Sequence, residues 1–248
     1  EVASQDLLKL LSKSKISISS DETRHYLNGI YLHKTSLENK YFLTGVATDS
    51  HRLSSSSLEI SQDIIFEPVI LPKKTIYQLI SLLEQSSSKI KICNNKSKVK
   101  FVMDSGVLIS KVIDGRFPDY GKVVPKENNK TLQVKLSEFK NSIERVTTVS
   151  LDKKEGLRMN IKKDSLQLSV NSPNSGEGVE IINANFNSDE MNISFNSRYL
   201  IDIASQIEDD SIVINLKDPG SPVLVKDLSD QNSFHVVMPM KIWVILKK

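Results

Sequence analysis

The stretch VATDSHRL, residues 46–53, sets an aspartate, a serine, a histidine and an arginine side by side. These are side chains of acyl-transfer chemistry, so a nucleophilic site is the first possibility to weigh. Adjacency argues against it. Neighbours in an extended chain point to opposite faces, whereas a catalytic triad needs three side chains converging on one point. Asp49 and Ser50 lie between two strand-like runs, so the expected geometry is a hairpin turn in which Asp49 bonds local backbone. His51, Arg52 and Leu53 then open the next strand. Three readings stand on these residues alone: a turn with solvated charges, a binding rim of ring, guanidinium and leucine, and, with least support, a catalytic site.

Other chemistry is sparse. The nine glycines form no phosphate-binding loop, and VNSPNSGEG reads as a hairpin loop without a following lysine or helix start. His25, His33, His51 and His235 stand apart and the chain has one cysteine, so no metal-ligand spacing occurs and no cofactor is expected. Cys93 sits in the strand-like KIKICNN and is expected to be a buried structural thiol. A single cysteine excludes an internal disulfide framework and fits a reducing cytoplasm. Hydrophobic residues at 39% and charged residues at 25% are values of a globular chain with a core. Nothing approaches a membrane span, and EVASQDLLKL is too acidic and interrupted for a signal peptide. The chain opens without methionine, which suggests a piece of something longer. Net charge is only +3; residues 1–122 hold 17 Lys and Arg against 13 Asp and Glu, residues 123–248 hold 16 against 17. Such a chain does not coat nucleic acid by charge alone.

The elements that must position VATDSHRL follow from periodicity. Alternation with period two marks strands in YLNGIYLH, FLTGVAT, IKICNN, KVKFVM and VLISKVI. The second half has LRMNIKK, SLQLSVN, VEIINANF, NISFN, SIVINL, PVLVKDL and FHVVMPM. Four stretches have helical spacing: DLLKLLSK, KKTIYQLISLLEQ, LSEFKNSIERV with Ser137 as candidate N-cap, and NSRYLIDIASQI. The order strand, helix, strand, strand, strand in FEPVILPKKTIYQLISLLEQ to GVLISKVI recurs from MNISFNSRYLIDIASQI to FHVVMPM, ~120 residues later. Each half opens with a helix and a strand hairpin. This is an internal duplication of one α+β unit, with a junction near FPDYGKVVPKENNK and two amphipathic helices per copy to cover the strands.

At this point four blocks resemble one family. RHYLNGIYL with FLTGVATDSHRL, then IDGRFPDYGKVVP, ISFNSRYLIDI and FHVVMPMKI, are in order similar to the bacterial DNA polymerase III β subunit, the sliding clamp, over its second and third domains. The resemblance implies an α+β fold of two tandem clamp domains, residues 1–121 and 122–248, each with two helices packed on antiparallel sheets. Residues 243–248 would be a C-terminal extension, and the family's first domain would be absent. It implies a non-catalytic processivity factor in the cytoplasm, with no membrane partner. Its subunits join head to tail into a homodimeric ring around double-stranded DNA, contacted weakly and without sequence preference. Because first and third domains form the family's junction, this chain is expected to be monomeric.

By family position, Arg24, His25, Tyr26, Lys73 and Lys74 lie against DNA; Lys9, Lys13 and Lys140 are added from helix faces. The same resemblance implies a hydrophobic pocket between the two domains for a peptide of glutamine, leucine and phenylalanine type. Such motifs are carried by the polymerase III catalytic subunit, the clamp loader and repair proteins. Its residues would be Leu27, Thr48, Ser50, His51, Arg52 and Leu53, then Pro118, Lys122 and Val123, then Asn196, Tyr199, Val236, Val237, Met238, Pro239 and Met240. Aliphatic and methionine side chains make an adaptable slot, with His51, Arg52 and Asn196 as polar rim. The chain departs from the family at Ser50, where glycine is usual; at Lys154, often aromatic; at Gly220 and Pro222; and in WVILKK after Ile242, which either folds over the slot or hangs as a tail. A hydrolase using His51 with a distant acid, and a sequence-specific DNA-binding module, are the alternatives; neither explains the duplication, and the helices carry few Arg.

Overall fold

The structure is a computed structural model, and it describes all residues except 151–155, 173–174 and 241–248. The chain divides into two compact units, Glu1–Asp119 and Tyr120–Lys248.

The first unit contains β1 (Val2–Ala3), α1 (Ser4–Lys15), a 3₁₀ segment (Glu22–Leu27), β2 (Gly29–Leu37), β3 (Lys40–Thr48) and β4 (Arg52–Ile60). It continues with β5 (Val69–Pro72), α2 (Lys73–Leu83), β6 (Lys89–Asn94), β7 (Lys98–Met103) and β8 (Gly106–Lys111). Its strands hydrogen-bond in the orders β1-β6-β7-β8 and β4-β3-β2-β5, all pairs antiparallel. The core draws on both helices and both strand sets. Leu7, Leu10 and Leu11 of α1 and Ile76, Leu79 and Leu83 of α2 pack with Ile30, Leu32, Ile90, Val99 and Phe101. Each such buried side chain contributes about 1.5–3 kcal/mol.

The second unit repeats this plan. It contains a 3₁₀ turn (Tyr120–Lys122), β9 (Lys130–Lys135), α3 (Leu136–Thr147), β10 (Gly156–Ile161), β11 (Ser165–Ser172) and β12 (Gly176–Asn183). There follow β13 (Asn185–Phe186), β14 (Met191–Asn196), α4 (Ser197–Ala204), β15 (Ser211–Leu216), β16 (Val223–Asp227) and β17 (Asp230–Val237). Strands β9-β15-β16-β17 match β1-β6-β7-β8, and β12-β11-β10-β14 match β4-β3-β2-β5. The short β13 pairs outside β9. The α+β duplication read from periodicity is thus present, with β13 as the one added strand among the described residues.

Four local expectations are corrected. Residues 22–27 are helical turns, so the strand predicted from Tyr26 starts at Gly29. A Cβ on Gly29 would meet the Leu71 carbonyl oxygen at 2.0 Å, so β2 pairs with β5 only because this residue has no side chain. Ser137 is not the N-cap of α3: the helix starts one residue earlier, and the Leu136 amide donates to Asp210 O at 2.8 Å. Cys93 is exposed. Ile90 is the buried position of β6, and Cys93 falls three residues on, on the face that carries Lys89 and Lys91. Lys13, expected on an open helix face, is 3% exposed.

Candidate functional site

In the first unit Thr48, Ser50, His51, Arg52 and Leu53 lie at the β3–β4 turn, and Arg24 of the 3₁₀ segment reaches it. Thr48 pairs with Leu53 at the hairpin end. Asp49 closes the turn: its Oδ1 accepts from the His51 and Arg52 amides at 3.0 and 2.9 Å, and its own amide donates to Arg52 O. Thr48 Oγ1 donates to Arg52 O at 2.7 Å and accepts from the Ser50 amide at 3.1 Å. The side chains of Thr48 and Asp49 are thereby committed to the turn itself. Ser50 sits at φ +75°, a left-handed conformation that costs an L-residue roughly 1–2 kcal/mol. The Arg52 guanidinium is tied to Asp49 through Nε–Oδ2 at 3.1 Å, with the Arg52 side chain only 10% exposed. No hydroxyl–imidazole–carboxylate array results.

Arg24 reaches the same turn. Its Nη1 donates to Ser50 Oγ at 2.6 Å while its Nε pairs with Asp21 Oδ2 at 2.9 Å. Asp21 caps the segment, and the Thr23 hydroxyl, the Thr23 amide and the Arg24 guanidinium hold its carboxyl down at about 2. His25 Nε2 lies 3.1 Å from Asp114 O, and its ring meets Tyr26 edge to face at 5.9 Å. Gly115, at φ +151°, leaves room for Tyr26, since a Cβ there would stand 3.0 Å from Tyr26 Cβ. Leu27 and Leu53 are buried, whereas His51 and Pro118 are exposed.

Lys73 and Lys74 open α2, whose N-terminus has no side-chain cap and no acid in its first turn. The Lys73 amide donates to Asn28 O at 3.0 Å, and its Nζ to Ser20 Oγ at 3.3 Å. Two cations at the positive end of a helix oppose the dipole, an arrangement that favours an external anion.

In the second unit Asn196 caps α4, its Oδ1 accepting from the Arg198 amide at 3.0 Å, and Tyr199 lies half-buried on that helix. The chain leaving β17 returns beside β14: the Met240 amide donates to Ser194 O at 2.7 Å. Asn196, Tyr199 and Met240 are thus brought to one end of β14. Val236 and Val237 are buried; Met238 is 43%, Met240 36% and Val123 53% exposed. Pro239 is half-buried, and Lys122 ends the 3₁₀ turn that the Val123 amide closes on Tyr120 O. Gly220 donates to Asp218 Oδ1, and Pro222 O accepts from Asn128. Lys154 and the WVILKK tail lie outside the described residues.

Among the described residues no cluster of three His, Cys, Asp or Glu side chains could hold a metal, and no helix is long and apolar enough to cross a membrane. The capping of α4 by Asn196 and the Arg24–Ser50 contact were not foreseen. The first had a signal, Asn before a helical run; the second pairs residues 26 apart and had none.

Residues 1–119 match the family described as DNA polymerase III beta subunit, central domain, and residues 121–241 its C-terminal domain. The beta sliding clamp of Caulobacter vibrioides is 34% identical over 242 residues, 97% of this chain and 65% of that protein. That of Escherichia coli K12 is 30% identical over 234 residues, covering 94% and 63%. A crystal structure of the Caulobacter crescentus beta sliding clamp superposes with a TM-score of 0.95 at 33% identity, covering 97% of this chain and 64% of that one. The Bartonella birtlesii clamp bound to griselimycin gives 0.93 at 36%, covering 97% and 65%. The chain spans about 65% of the length of the curated relatives it matches. With both domain matches in tandem and the same strand order in each unit, the chain belongs to the DNA polymerase III beta subunit, or beta sliding clamp, family and carries its central and C-terminal domains.

Proposed function

We propose that this chain is the part of a sliding clamp that holds partner proteins on DNA, a processivity subunit that catalyses nothing. Two consecutive domain matches covering residues 1–119 and 121–241 carry the reading. In it, double-stranded DNA is contacted through phosphates at Arg24, His25, Tyr26, Lys73 and Lys74, without base recognition. The uncapped, doubly basic start of α2 supports an anion there.

Partner proteins dock through short motifs of glutamine, leucine and phenylalanine type. In this reading the exposed Val123, Met238 and Met240, together with half-buried Tyr199, receive the apolar anchors. His51, Arg52 and Asn196 form the polar rim; Asp49 holds the Arg52 Nε and the Arg198 amide donates to the Asn196 Oδ1, which fixes both side chains in place. The Arg24–Ser50 bond supports a turn held in one conformation before the peptide arrives. The test is anisotropy of a labelled peptide bearing such a motif, titrated with the chain. Saturable binding, competed by unlabelled peptide but not by a version with alanine at the leucine and phenylalanine positions, is expected. Absence of binding contradicts the proposal.

A further inference from the structure

Six lysines crowd the β6–β7–β8 region: Lys89 and Lys91 on β6, Lys96 in the following turn, Lys98 and Lys100 on β7, and Lys111 on β8. All six are exposed, and these three strands contain no Asp or Glu. Buried Ile90, Val99 and Phe101 alternate with them, so the strand lysines project from the outward face. Register sets Lys98 directly opposite Lys111, Cys93 opposite Lys100, and Lys100 opposite Ile109. Like charges face to face across a ladder destabilise a sheet. None of the six makes an ion pair with a described residue, while lysines elsewhere do, as Lys40 with Glu59 and Lys217 with Glu127. An uncompensated basic grid in a chain of net charge +3 calls for an external polyanion.

From this grid we infer a second nucleic-acid contact surface, separate from Arg24, Lys73 and Lys74, that takes the phosphate backbone of duplex DNA. Lysine is depleted at protein–protein interfaces but supplies phosphate contacts. The face has no arginine fork to read carboxylates bidentately, and no aromatic ring on which single-stranded bases could stack. Alternate residues of a strand lie ~6.7 Å apart, close to two base-pair rises along one DNA strand. Contact here is sequence-independent and strongly salt-dependent.

Cys93, the only cysteine of the chain, stands in the middle of the grid and gives a direct reporter. The full chain carrying an environment-sensitive maleimide dye on Cys93 is titrated with a short duplex at several salt concentrations. Arg24→Ala/Lys73→Ala/Lys74→Ala and Lys91→Ala/Lys98→Ala/Lys100→Ala variants are run in parallel, with circular dichroism to confirm folding. The dye is expected to respond in the parent and in the Arg24 variant. In the lysine variant the affinity should fall about ten-fold, and the slope of log K against log salt by about 2–3. No dye response, or a lysine variant that binds like the parent, overturns the inference, and binding lost only in the Arg24 variant leaves the proposed clamp contacts standing without it. A poly-glutamate peptide that binds the grid more tightly than the duplex also overturns it, in favour of an acidic protein partner.

Discussion

Ser50 carries two opposing effects: a left-handed φ of +75° that disfavours any L-residue, and a hydrogen bond from Arg24 that glycine could not accept. Ser50→Ala keeps the first and removes the second, and is expected to lower stability by about 1 kcal/mol. Ser50→Gly removes both and should unfold within about 0.5 kcal/mol of the parent in urea. If alanine proves as stable as serine, the Arg24 bond contributes nothing to the turn. Asp21 titrates in the same cluster. Its folded value of about 2 is depressed from 3.8, so its contribution to stability is full above about 4 and is lost as pH falls through 2. The melting temperature of Asp21→Asn should therefore lie below the parent at pH 6 and converge with it near pH 2. A gap that persists at pH 2 would assign the effect to packing.

At the scale of elements, β6 and β7 hold the first unit together through Phe101 and Ile90, both fully buried. Phe101→Ala is expected to cost about 3–5 kcal/mol, read by urea denaturation. A change under about 1 kcal/mol would mean that the two strand sets do not share one core. Periodicity revealed most elements because their inner residues are aliphatic. It was blind to β4, RLSSSSLEI, beyond its first residues. There Ser54, Ser55 and Ser56 are all buried, with Ser54 bonded to Ser17, so no alternation is visible. Cys93 misled for a related reason: a thiol is usually an inward residue, but register puts it among lysines. The turn at Asp49 was legible because an Asx side chain needs only its neighbours to bond. Arg24 reaching Ser50, and Met240 returning to Ser194, depend on chain brought together by folding and left no mark in local sequence.

At the scale of the molecule, two units built to one plan carry different surfaces. The first offers the polar turn and basic segment; the second offers Val123, Met238 and Met240. Under the proposed clamp reading, in which the ring joins through the family's first and third domains, the 248 residues taken alone are expected to run as a monomer in light scattering at micromolar concentration. A stable dimer would show that another surface self-associates. The most direct test of the account is photo-crosslinking with a clamp-binding peptide whose phenylalanine anchor is replaced by benzoyl-phenylalanine, mapped by mass spectrometry. Under the proposed reading, crosslinks are predicted within residues 236–240 or within the 48–53 turn, and should be lost when unlabelled peptide is added. Crosslinks confined to other surfaces, or insensitive to competitor, would contradict the assignment of VATDSHRL as part of a docking site.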